Sequence, residues 1–191
     1  MREVSLITSN LGKLKEFQHG LEPLGLRVKH LPIDCEEAQA DTLGEVVASC
    51  IRQIVEQGYE DFILDDSGLF VHHLKGFPGV YSSYVFQTIG CEGVQILLEG
   101  ASDRSAHFEC CIGCHFHDAG QIIVSGQAPG RIIQDKRGSK GFGYDPIFVP
   151  DGSDRTFAEM DLEEKNRYSH RGVAMRSFVD QLRARLPGAG A

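Results

Sequence analysis

With 191 residues, 41% of them apolar, the chain can bury a full core as one domain, or as one domain with two lobes around a cleft. Its formal charge of −8 argues against the broad basic surface that DNA, RNA or anionic membranes select, so an anionic ligand would need a local cluster of Lys and Arg. No segment reaches the roughly 18 consecutive apolar residues of a membrane span, and the start lacks a basic leader region, so a soluble, intracellular protein is expected.

Residues 4–8 read as a short strand, after which Leu11, Leu14, Phe17, Leu21 and Leu24 recur at helical spacing until Gly25 stops the helix. The join, Ser9-Asn10-Leu11-Gly12-Lys13, is a cap-and-glycine loop. Residues 26–31 alternate like a strand, and a second helical pattern runs from Leu43 through Val46, Val47, Cys50, Ile51, Ile54 and Val55 to Gly58. A third strand over 62–64 ends in Asp65-Asp66-Ser67-Gly68. This strand–helix alternation predicts an α/β fold in which ligands bind beyond the carboxyl ends of strands.

A turn-rich loop at Gly76-Phe77-Pro78-Gly79 precedes a helical stretch over 93–98. Residues 105–117 and 121–127 resemble a hairpin around Asp118-Ala119-Gly120. The glycine-rich loop 137–146 leads into a strand over 147–149, and Ser169 is a good N-cap for a final helix carrying Met175, Phe178, Val179, Leu182 and Leu186, closed by Pro187-Gly188. No linker or repeat divides residues 1–191, which read as one domain.

Asp65-Asp66 is the most informative pair, because two carboxylates at the end of a buried strand cost several kcal/mol unless a cation or hydrogen bonds compensate them. A hard divalent ion such as Mg²⁺ would do so and would keep positions for waters and phosphates. Thr8-Ser9-Asn10-x-x-Lys13 lies at a strand-to-helix turn, where free N–H groups, the helix dipole and a lysine favour an anion. Phe142-Gly143-Tyr144-Asp145 could stack a planar base and accept hydrogen bonds from its edge. Ser169-His170-Arg171 places cations against the helix dipole, which suggests an anionic or carbonyl-bearing ligand. Glu37, by its own chemistry, is a solvated loop acid.

The six cysteines, Cys35, Cys50, Cys91, Cys110, Cys111 and Cys114, are even in number, yet without a secretory signal a disulfide framework is the weaker reading. Cys110, Cys111 and Cys114 with His115 and His117 invite a zinc site, but they fall in one strand-like run whose side chains alternate between faces. Buried thiols are the expectation there.

Taken together, Thr8–Lys13, Asp65-Asp66-Ser67-Gly68-Leu69, Gly76-Phe77-Pro78-Gly79-Val80-Tyr81-Ser82-Ser83, Gly141-Phe142-Gly143-Tyr144-Asp145-Pro146, Phe157-Ala158-Glu159-Met160, and Glu164-Lys165-Asn166 with Ser169-His170-Arg171-Gly172 resemble the house-cleaning nucleoside triphosphate pyrophosphatases, the XTP/dITP diphosphatase family. The resemblance implies an elongated mixed α/β sheet flanked by helices, two lobes around an active cleft, and a cytoplasmic homodimer. It implies Mg²⁺-dependent hydrolysis of ITP, dITP or XTP to the monophosphate and pyrophosphate, with no nucleic-acid or membrane partner.

By position, Glu37 and Asp66 would be metal ligands, with Asp66 also activating water; Asp65 would be a second ligand or a support. Thr8, Ser9, Asn10, Leu11, Gly12, Lys13, Ser67, Phe142, Gly143, Tyr144, Asp145, Lys165, His170 and Arg171 would hold the nucleotide. One departure concerns the helix after Glu37, where many members carry a phosphate-facing lysine and this chain has Ser49 and Cys50, with Arg52 the nearest cation. A non-catalytic nucleotide sensor and a pyrophosphatase for other nucleotides are the alternative readings.

Overall fold

Two periodicities in the apolar pattern, near two and near 3.6, alternate along the first third of the chain and are realised as strands and helices in turn. The computed structural model describes residues 2–8, 10–36 and 39–185. Strand β1 (Arg2–Ile7) is followed by α1 (Leu11–Leu21), β2 (Leu26–Leu31), α2 (Leu43–Glu56) and β3 (Phe62–Val71). Asn10 caps α1 by accepting from the N–H groups of Gly12 and Lys13. Gly25, at a φ of 69°, turns the chain after a 3₁₀ turn into β2. Thr42 and Glu45 form a reciprocal capping box on α2.

Next come α3 (Ser82–Thr88), α4 (Gly90–Leu97), the long strands β4 (Ser105–Phe116) and β5 (Gly120–Ile132), β6 (Phe148–Pro150), α5 (Leu162–Tyr168) and α6 (His170–Arg185). The six strands form one sheet in the order β2-β1-β3-β4-β5-β6. Strands β1 and β2 run parallel with Val4 opposite Val28, β1 and β3 run parallel with Leu6 opposite Ile63, and β5 and β6 are antiparallel. The sheet is therefore mixed and carries helices, as expected. Among the described residues, no helix is long and apolar enough to cross a membrane.

By internal contacts the chain divides into two compact units. The first comprises Met1–Asp66, Cys110–Gly126 and Ala174–Ala191, and its core joins Leu6, Phe17, Ile63, Ile112, Phe116 and Phe178. The second comprises Ser67–Glu109 and Gln127–Val173, and its core joins Leu69, Val94, Phe108, Ile147, Phe148 and Phe157. In it the rings of Phe108 and Phe148 meet edge to face at 4.8 Å.

Three expectations change. Strand β3 does not end at Leu64 but continues to Val71, so both acids lie inside it. Helices α3 and α5 escape periodicity, because each is seven residues long, too short for the 3.6 period to repeat. One disulfide forms, Cys35–Cys50, with a Cα–Cα distance of 5.4 Å, although a disulfide framework was the weaker reading. The end of the last helix at Pro187-Gly188 lies outside the described residues.

Cys110, Cys111 and Cys114 are buried in β4 and take no part in a disulfide, in line with the expectation of buried thiols. Burial pushes the Cys114 thiol up to about 12, as suits a core side chain. Between them, Gly113 lets α2 approach: a Cβ there would stand 2.4 Å from Val47 Cγ1 and 2.7 Å from Ile51 Cδ1. Gly113→Ala is expected to destabilise the protein by about 1–3 kcal/mol through overpacking, measured as a lowered urea midpoint at unchanged m-value. An unchanged midpoint would show that α2 can retreat without cost.

Candidate active site

In the first unit the decisive contact runs from α1 to β3. The Lys13 ammonium lies 3.3 Å from Asp65 Oδ1 and donates to the Asp65 carbonyl at 3.1 Å. The Asp65 side chain is fully buried, and the Cys110 thiol donates to its other oxygen at 3.6 Å. Lysine thus provides the compensation that a buried carboxylate requires. Successive strand residues face opposite ways, so Asp66, half-buried, points away from this pair. Its carboxylate oxygens are the donor chemistry that suits a hard cation such as Mg²⁺. Glu37, the other expected ligand, and Ser9 lie outside the described residues.

The turn before α1 differs from expectation in its amides. Asn10 N–H donates to Thr8 Oγ1 at 3.1 Å, and Asn10 Oδ1 accepts from Gly12 and Lys13 at 2.8 and 3.4 Å. These N–H groups serve the cap, and the charge of Lys13 is directed to Asp65. Leu11 is 62% exposed at the start of α1. The α2 position where a phosphate-facing lysine was expected is occupied by buried Cys50, and Arg52 is exposed.

In the second unit the nucleotide candidates form a buried polar cluster. Arg171, 2% exposed, donates to Ser67 Oγ at 2.9 Å. Lys165 and Asp145, 4% and 3% exposed, pair at 2.7 Å, and the same Asp145 oxygen accepts from the Phe142 N–H at 2.9 Å. The Phe142 ring lies 4.8 Å from the Lys165 ammonium and 5.8 Å from the Arg171 guanidinium, within cation–π range. His170 stacks on Phe108 at 4.7 Å.

Local backbone needs explain the glycines and caps around the cluster. Ser169 caps α6 by accepting from Gly172 N–H at 3.1 Å, as predicted. A Cβ on Gly172 would stand 1.9 Å from the Asn166 carbonyl oxygen, so glycine permits the tight approach of α5 and α6. Gly141 sits at a φ of 74°, and its missing Cβ leaves room for the Asp145 carboxylate.

Tyr144 is not available for base stacking. It is buried, its hydroxyl donates to the Ser82 carbonyl at 3.1 Å, and burial pushes its phenol up. Half-buried Phe142 is the accessible aromatic of that loop. The Cys91 thiol, also pushed up by burial, donates to Gly143 O at 3.5 Å and helps hold the loop.

Sequence reasoning missed three supporting groups: Ser82, whose hydroxyl accepts from Leu69 N–H and donates to Gly79 O; Cys110 beneath Asp65; and Gln53, bonded to Glu36. Ser82 lay within the Gly76–Ser83 motif without a role of its own, and Cys110 and Gln53 carry no local pattern for theirs, because their partners are distant in sequence.

Residues 4–181 match the model of the Ham1 family. A dITP/XTP pyrophosphatase of Thermococcus kodakarensis is 49% identical over 183 residues, covering 96% of this chain and 98% of its own, and one of Pyrococcus horikoshii is 48% identical over 184 residues, with the same two coverages. Among solved structures, the HAM1 protein of Coxiella burnetii superposes with a TM-score of 0.82 at 35% identity, covering 96% of this chain and all of that one. The Ham1 protein of Staphylococcus aureus gives the same TM-score at 29% identity, over 96% and 99% of the two chains. With its sequence matched along nearly its whole length and its sheet superposing on these structures, the chain belongs to the Ham1 family.

Proposed function

We propose that this protein hydrolyses non-canonical purine nucleoside triphosphates, ITP, dITP and XTP, to the nucleoside monophosphate and pyrophosphate. The observation that carries the reading is the 49% identity over nearly the full chain to a dITP/XTP pyrophosphatase. Residues 1–191 act as one functional domain, in the cytoplasm, where the nucleotide pool resides.

Water must attack the α-phosphorus while charge builds on the bridging oxygen, so catalysis rests on positioning and electrostatic stabilisation. Asp66 and Glu37 would hold Mg²⁺, which would supply charge neutralisation and acidify water. Asp66 takes the proton of the attacking water. An ammonium has three N–H donors; Asp65 orients Lys13 through its carboxylate and carbonyl, and the third donor serves a phosphate oxygen. Thr8 to Lys13 in the first unit and Lys165 in the second are nucleotide-binding residues in this reading.

Selectivity rests on the base edge, where hypoxanthine and xanthine offer a C6 carbonyl acceptor and adenine an amino donor. Arg171, fixed by Ser67, and His170, fixed by Phe108, direct donors at that carbonyl. Adenine would leave them unpaired at about 1–3 kcal/mol per group. Phe142 provides the stacking face.

The protein works as a homodimer in this reading. Supporting it is the apolar exposure of residues 77–97, where Tyr84 is 69% exposed, Ile96 63%, Tyr81 49% and Leu97 47%.

On a panel of nucleoside triphosphates with Mg²⁺, ITP and XTP should release pyrophosphate well ahead of ATP and GTP, and Asp66→Asn should lower that release at least ~10²-fold with an unchanged melting temperature. Near-normal turnover by the variant would remove Asp66 from the chemistry. Arg171→Ala should lower kcat/KM for ITP about tenfold or more while affecting ATP less, whereas equal losses would assign Arg171 to the phosphates. Light scattering of Tyr84→Asp should give the monomer mass where the unaltered chain gives a dimer, and an intact dimer would move the interface elsewhere.

A further inference from the structure

Two histidines that the proposed hydrolysis does not use meet where β3 ends and β4 begins, within the second unit. The two strands are neighbours in the sheet. His72 follows β3 directly, and Ser105 and His107, two residues apart at the start of β4, share a face. The His72 ring has a partner at each nitrogen: Nδ1 lies 2.8 Å from Ser105 Oγ, and Nε2 lies 3.0 Å from His107 Nδ1. His107 in turn stacks on Phe70, with ring centroids 5.0 Å apart and planes 5° from parallel. Both rings are thus held in place, yet His72 is exposed and His107 half-buried, so water reaches the pair.

Two neutral imidazoles that meet nitrogen to nitrogen share one hydrogen between an N–H and a lone pair. A metal ion can take the place of that hydrogen. Imidazole binds Zn²⁺ at about 2.0–2.1 Å, so nitrogens 3.0 Å apart reach one ion at that length with an angle of about 90–100° between the two bonds. A modest turn of the exposed His72 ring aims both lone pairs at the ion. The surrounding charge suits a cation, since the carboxylate of Asp103 acts on His72 and that of Glu109 on His107. Arg104, beside Ser105, donates instead to the carbonyls of Ile132 and Leu98 at 2.8 and 3.0 Å.

We propose that His72 and His107 form a two-imidazole site for a borderline divalent transition cation such as Zn²⁺, Ni²⁺ or Cu²⁺, with Ser105 as the positioning residue. Imidazole selects these ions, whereas Mg²⁺ takes oxygen ligands, so the site is chemically distinct from the carboxylate of Asp66. In the bound state His72 carries its hydrogen on Nδ1 and donates it to the Ser105 hydroxyl, and His107 carries its hydrogen on Nε2. A partner of this kind on the far nitrogen fixes the tautomer and the orientation of a metal-binding histidine. Water completes the coordination, and the ion ties the end of β3 to the start of β4.

The test uses the full chain with excess Mg²⁺ present and Cu²⁺ as the probe. Calorimetry should give one Cu²⁺ per chain, and electron spin-echo modulation should show two imidazoles coupled to it. His72→Gln and His107→Gln should each weaken binding on the order of 100-fold and leave at most one coupled imidazole, while Ser105→Ala should weaken it about tenfold and keep two. Saturating Zn²⁺ should raise the melting temperature of the unaltered chain and leave that of His72→Gln unchanged. Because His107 packs on Phe70, the exposed His72 position provides the decisive variant if His107→Gln fails to fold. His117→Gln should bind Cu²⁺ as the unaltered chain does, although Asp61, His117 and Asp118 offer ligand atoms within 4.8 Å of one another. No Cu²⁺ binding, a single coupled imidazole in the unaltered chain, or a two-imidazole signal that survives His72→Gln would overturn the site. Loss of binding in His117→Gln alone would place the ion at the Asp61 group and overturn it equally.

Discussion

The Lys13–Asp65 pair is the contact on which the path of β3 depends. A strand that carries two adjacent carboxylates into the interior would, without compensation, be driven to stop and turn toward water. Lysine from the first helix meets the Asp65 carboxylate and its carbonyl, and the Cys110 thiol approaches the other oxygen. With one acid neutralised, the strand runs on to Val71 and its pleat turns Asp66 away from the pair. Removing one partner of such a pair costs more than the pair itself contributes, since the remaining charge is left buried. The same contact thus shapes the strand and distinguishes the surroundings of its two acids.

A similar logic organises the second unit, where Arg171, Lys165 and Asp145 are almost wholly buried. Each has a named counterpart: Ser67 for Arg171, and Asp145 for Lys165. The glycines around them are absences of volume. Gly172 admits the Asn166 carbonyl and Gly141 admits the Asp145 carboxylate, so the polar cluster closes around side chains that larger residues would displace. Rigid charged groups of this kind favour catalysis by preorganisation, because little reorganisation remains at the moment of reaction.

At α2 the chemistry diverges from the expected pattern. A sulfur–sulfur bond stands where a lysine was anticipated, and it joins the helix to the loop that carries the acidic pair Glu36-Glu37. Lys13 and Lys165 are directed to Asp65 and Asp145, each within its own unit.

Much was legible in the chain itself. The opening strand–helix alternation, the hairpin around Gly120, the Ser169 cap and the burial of the β4 cysteines follow from periodicity, cap chemistry and alternation, which are local properties. The two seven-residue helices escaped because they are too short to show a period. Likewise, residue type and spacing singled out Asp66, Lys13 and Arg171 as candidates, Lys165 entered only through the resemblance, and the order of the motifs along the chain pointed to one family. Tertiary structure alone decided which partner each one meets: that Asp65 belongs to Lys13, that Tyr144 serves the core while Phe142 remains accessible, and that Cys35 finds Cys50. These choices join residues distant in sequence, and the free energy of a buried charge, hydroxyl or thiol depends on neighbours that only the folded chain supplies.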